Sequence, residues 1–84
     1  MPPELAWLPV RATEGAFSSE YAIAIATPDG DISLFADKTI VKQEGGQYYL
    51  QVTHMGQDTR TGEKIMLLPS ECFETGTRWH RVAG

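Results

Sequence analysis

Three side chains in this chain of 84 residues have the reactivity for metal ligation or nucleophilic attack: Cys72, His54 and His80. Tetrahedral zinc sites draw their ligands in close pairs such as C-x2-C, and no such pair exists here. A Cys–His dyad is set by space rather than sequence spacing, so the residues leave it open. Ser70 sits in Leu-Pro-Ser-Glu-Cys, without the flanking glycines of a nucleophile elbow. Asp29 and Asp31 bracket Gly30 and are explained by turn chemistry; Glu71 and Glu74 are the other close carboxylate pair. Gly45-Gly46 lacks the helix and lysine of a phosphate cradle. These residues assemble no catalytic constellation, and no cofactor or metal is expected.

Two other stretches carry contact chemistry. Arg78-Trp79-His80-Arg81 puts two arginines, an indole and an imidazole within four residues. Indoles stack on bases and arginines pair with phosphates, so Arg78, Trp79 and Arg81 form an alternative nucleic-acid-binding set. The competing reading is a terminal strand with Trp79 in the core and the arginines outside. Net charge is −4, with −5 over residues 1–59 and +1 over 60–84, which disfavours phosphate binding by the body of the chain. The second stretch is Gln47–Met55, the longest strand-favouring run, launched by Gly45-Gly46 and closed by Gly56. Period-two alternation puts Tyr48, Leu50, Val52 and His54 on a core face. It puts Tyr49, Gln51, Thr53 and Met55 on the other. Aromatic, amide, hydroxyl and thioether groups together make an adaptable contact surface, so these four are the expected protein-binding residues.

The elements that must position this strand are short. Residues 1–19 read as an N-terminal arm and loop, and 20–84 as a strand meander, together one small β domain spanning 1–84. Pro2, Pro3 and Pro9 keep the start extended as a covering arm or a first short strand, and Trp7 is expected to lie over the core as a lid rather than to contact a partner. Phe17 is expected to tuck inward from the loop. Tyr21–Thr27 alternates bulky Tyr21, Ile23 and Ile25 with Ala22, Ala24 and Ala26. Small apolar residues on the second face suggest that the arm or another subunit packs over it. Pro28-Asp29-Gly30 signals a hairpin turn into Ile32–Ala36, and Thr39–Gln43 returns through Glu44-Gly45-Gly46. Residues 56–63 read as the most exposed loop, and Lys64–Leu68 as a buried run.

Pro69-Ser70-Glu71-Cys72-Phe73 carries the composition of a single helical turn, with Phe73 as inward anchor and Cys72 buried beside it. The order from Leu67 to Val82, a turn and then a final short strand, resembles the tail of an SH3-like small barrel. The resemblance implies a 3-10 turn joining the last two strands. The expected fold is therefore all-β: an SH3-like barrel or rolled antiparallel sheet of five to six short strands, with one helical or 3-10 turn near Ser70–Phe73.

One cysteine permits no internal disulfide and suits a reducing, cytoplasmic setting. The first residues show neither a basic leader nor a long apolar run, so no membrane segment is expected. Tyr49, Met55, Trp7 and the alanine face are more apolar surface than one small barrel needs inside, which points to a non-catalytic binding or assembly protein whose partner is another protein or itself, with a homodimer expected. Two alternatives stay open: a nucleic-acid-binding barrel using the C-terminal strand, and an oligomeric enzyme with an inter-subunit pocket.

Overall fold

The computed structural model describes residues 4–82. Pro2 and Pro3 lie outside the described residues. Seven antiparallel strands account for most of the chain: β1 (Glu4–Glu14), β2 (Glu20–Thr27), β3 (Gly30–Asp37), β4 (Val41–Glu44), β5 (Gln47–Gln57), β6 (Lys64–Leu67) and β7 (Trp79–Val82). The sheet runs β3-β2-β1-β5-β6-β7, with β4 also on β5. It curls into a half-barrel, as the all-β reading expects and in keeping with a small SH3-like barrel. Among the described residues no helix is long and apolar enough to cross a membrane.

β5 holds the sheet together because three strands pair with it. β1 takes one edge, and β4 and β6 share the other. The β4–β5 turn is two glycines, Gly45 at φ 56° and Gly46 at φ 82°. Positive φ at both central residues is what a tight hairpin matching the strand twist requires. β5 does not stop at Gly56 but passes through a bulge between His54 and Gly56 and continues to Gln57. An extra residue bends a strand and increases its twist, which helps the sheet curl.

The N-terminal arm is a full strand. β1 pairs with β5 through residues 4–10 and with β2 through residues 11–14. Pro9 fits because that stretch has only one paired edge, where strands tolerate proline. The core lies on the concave side. It is built from alternate residues such as Val10, Ile23, Ile25, Leu34, Leu50 and Val52, closed by Met66, Leu68, Cys72 and Val82.

Several local expectations differ. The 3-10 turn is at Lys38–Ile40, where Asp37 accepts the Thr39 N–H at 2.9 Å, so β4 starts only at Val41. Ser70–Phe73 is not helical, because the Phe73 N–H bonds instead to the Ser33 carbonyl at 2.9 Å. Cys72 is the inward anchor, whereas Phe73 and Phe17 are exposed. The Lys64–Leu68 run is buried at Met66 and Leu68, half-buried at Ile65 and Leu67, and exposed at Lys64.

The alanine face is not covered by the arm, which lies beside β2 in the sheet. Arg11 on β1 instead reaches across β2 to Asp31 on β3, forming an ion pair over the alanines. Two strand spacings separate those residues, about 10 Å, and small side chains between them leave the guanidinium room to cross.

Candidate functional site

The strand register builds one outer face from five strands. Leu5 lies opposite Thr53, Thr53 opposite Leu67, and Leu67 opposite Trp79, making a row across β1, β5, β6 and β7. A second row sets Trp7 against Gln51, and a third sets Pro9, Tyr49 and Lys42 side by side. Side chains at the same register on neighbouring strands stand about 5 Å apart and act as one surface. Leu5 remains 69% exposed and Trp79 55%, with Trp7 and Met55 also open to solvent.

Tyr49, Gln51 and Thr53 lie half-buried in this face. Met55 sits in the β5 bulge, which turns it outward beside them. The concave side of the same strand holds Leu50 and Val52 fully buried and Tyr48 packed against the core. Tyr48 meets Tyr21 edge-on, with centroids 5.5 Å apart.

Trp7 is not a lid on the core. Its ring lies on the outer face under Lys42, whose Nζ is 4.6 Å from the indole centroid and 5.7 Å from the Tyr49 ring. An ammonium over an indole at the surface contributes about 0.5–1 kcal/mol. The same Nζ is 3.5 Å from Glu44 Oε1, so its charge is balanced within β4.

Arg78, Trp79 and Arg81 do not form one patch. Trp79 and Arg81 share the outer face, and Trp79 is exposed rather than a core residue. Arg81 faces Asp58 at 3.8 Å, and Asp58 also takes the Arg60 N–H at 2.9 Å. The 56–63 region is thus tied down around a nearly buried Asp58 carboxylate, although Gln57, Thr59, Arg60 and Thr61 are exposed. Arg78 turns back to donate its Nε–H to the Leu68 carbonyl at 3.0 Å.

The reactive side chains lie elsewhere. His54 Nδ1 is 3.8 Å from Glu4 Oε1 at the rim of the concave side, and its Nε2 is buried without a partner. Register places Met66 between His54 and His80. His80 Nε2 meets Thr75 Oγ1 at 3.0 Å. Burial pushes the Cys72 thiol pKa up, and the nearby Glu74 charge adds to the shift. A raised pKa keeps the thiol protonated, the opposite of what a nucleophile needs. Among the described residues no group of three or more His, Cys, Asp or Glu stands together to hold a metal.

Sequence reasoning missed Leu5, Lys42 and Leu67 as members of this face and favoured Trp7 as a lid over a partner contact. The signal was the same alternation that marks β5: Leu5, Trp7 and Pro9 recur at period two, as do Leu67 and Ile65. The chain matches no family model, no curated protein and no solved structure.

Proposed function

We propose that this chain is a small, SH3-like binding or assembly protein that works through its outer sheet face, and that the face takes a second copy of the chain in a two-fold pair. The row Leu5–Thr53–Leu67–Trp79, exposed at Leu5 and Trp79 and half-buried between them, carries the reading. Contiguous apolar surface of this kind marks protein interfaces, and a two-fold pair is the commonest way to cover it. The charges on the face support a self-complementary contact. Lys42 has Glu44 and Arg81 has Asp58, so two copies meet without opposing unpaired cations. The lone, buried Cys72 fits a reducing, cytoplasmic setting.

Sedimentation across a concentration series tests the reading. The expected result is a shift toward twice the chain mass, abolished by Trp79→Lys with the fold intact by circular dichroism. A chain that keeps its single mass up to about 1 mM, the level of a 4 kcal/mol interaction, overturns it. Binding to single-stranded RNA or DNA that weakens steeply with salt would favour the nucleic-acid alternative instead.

A further inference from the structure

β3 ends the sheet, with β2 on one edge and no strand on the other among the described residues. Its free edge is nonetheless occupied at Ser33. The Phe73 N–H donates to the Ser33 carbonyl at 2.9 Å, and the Ser33 N–H donates to Glu74 Oε1 at 2.6 Å. The Ser33 hydroxyl donates to the other Glu74 oxygen. A partner strand would make the same two main-chain bonds, one given and one accepted, at a hydrogen-bonded pair. Phe73 and Glu74 therefore imitate one residue of a neighbouring strand, with a carboxylate standing in for the carbonyl.

The hold on this tip is local. Leu68 and Cys72 anchor the segment in the core, and the Leu68 N–H and Cys72 N–H bond to Arg78 and Thr77 carbonyls within it. Phe73 and Glu74 themselves have the Ser33 bonds and one edge-on ring contact, Phe73 on Phe35 at 5.4 Å, while behind them the Gly76 N–H bonds the Cys72 carbonyl at 2.8 Å and Thr75 Oγ1 meets His80 Nε2 at 3.0 Å. Gly76, at φ 68°, turns the chain back. Period two directs the Phe35 main-chain groups to the same edge as those of Ser33. At Phe35 that edge meets, among the described residues, only the Ser70 hydroxyl, at 3.3 Å, beside an open groove of about 550 Å³.

We propose that residues 69–78 form a strap whose tip, Phe73 and Glu74, caps the open edge of β3, and that release of the tip turns this edge into a strand-addition site for β3 of a second copy. Bare edges template pairing with other chains, and an identical edge is present on every copy. This contact is distinct from the outer face, because it runs along the opposite end of the sheet.

Glu74→Ala in a Leu5→Ala background tests the strap with the outer face weakened. In dilute solution the Ser33 amide should exchange hydrogen about tenfold faster than in Leu5→Ala alone, as expected for loss of a charge-assisted bond. At higher concentration the double variant should gain mass and regain Ser33 protection. Adding Phe35→Lys, an edge charge, should return it to the single-chain mass. Glu74→Gln, which keeps an acceptor oxygen for the Ser33 N–H, should stay capped. If Glu74→Ala fails to fold, Phe73→Ala loosens the same tip and is read in the same way. Fast exchange at Ser33 with no gain in mass at any concentration overturns the proposal, as does exchange at the unsubstituted rate.

Discussion

Leu5→Ala separates association from folding more cleanly than any other change on the outer face. Leu5 is 69% exposed, so most of its side chain is available to a partner and only the remainder contributes to the fold. The substitution removes three carbon groups worth about 0.8 kcal/mol each when fully buried. Scaling by exposure, the fold should lose about 0.7 kcal/mol, and each copy of the interface up to about 1.7 kcal/mol. A two-fold pair contains the residue twice, so complete burial would weaken the dimer by about 3.3 kcal/mol, roughly 200-fold. Interfaces return only part of the transfer energy, so the expected range is about 10-fold to 200-fold. Sedimentation equilibrium measures the dissociation constant, and urea unfolding at concentrations where the chain is monomeric measures the stability. A variant that loses the small folding increment yet dimerises like wild type refutes the assignment of this face. A variant that loses about 3 kcal/mol of stability refutes the exposure argument itself.

The carboxylates of Glu74 and Asp37 are both held below their usual range, Glu74 by its Ser33 bonds and Asp37 by the Thr39 backbone N–H. A depressed native pKa gives stability that is present above the ordinary carboxylate range and lost as pH falls through the native value. Unfolding midpoints should therefore drop on acidification below the ordinary range, and Glu74→Gln should flatten that drop. Cys72, buried and with its pKa raised, should resist a thiol reagent at mildly alkaline pH and react at full rate only in denaturant. His54→Leu removes the buried, unpartnered Nε2, so stability measured in urea should hold or rise by about 1 kcal/mol. A large loss would mean that the ring's contact with Glu4 outweighs the orphaned nitrogen.

Alternation in Gln47–Met55 was enough to assign both faces of β5, and Asp29-Gly30 and Gly45-Gly46 were enough to place both hairpin turns. These signals are local, since a pleat has period two and a tight turn needs glycine. What stayed hidden depended on distant partners. Leu5 and Trp7 read as a covering arm or a first short strand, because the prolines keep the start extended and nothing nearby reveals that the whole stretch pairs with β5. Trp79 read by preference as core, because an alternating strand does not say which of its faces is concave. Ser70–Phe73 has cap-like composition, but the Ser33 carbonyl takes the Phe73 N–H and prevents the turn from closing. The 3-10 turn was written in Asp37-Lys38-Thr39 as an aspartate bonding the backbone two residues on, a motif that also fits an ordinary corner.

The divided pairing of β1 also sets the order in which the molecule assembles. The β2–β3 and β4–β5 hairpins join neighbours in sequence, whereas Glu4 must find His54 and Val10 must find Tyr48. Contacts between such remote positions form slowly, because the intervening chain loses entropy before any bond repays it. By that argument β1 is the last strand to be zipped in, and it is the seam between the β2–β3 hairpin and the rest of the sheet. Leu5 and Trp7 reach the outer face only when that seam closes, so pairing through this face, as proposed above, would be reserved for finished copies.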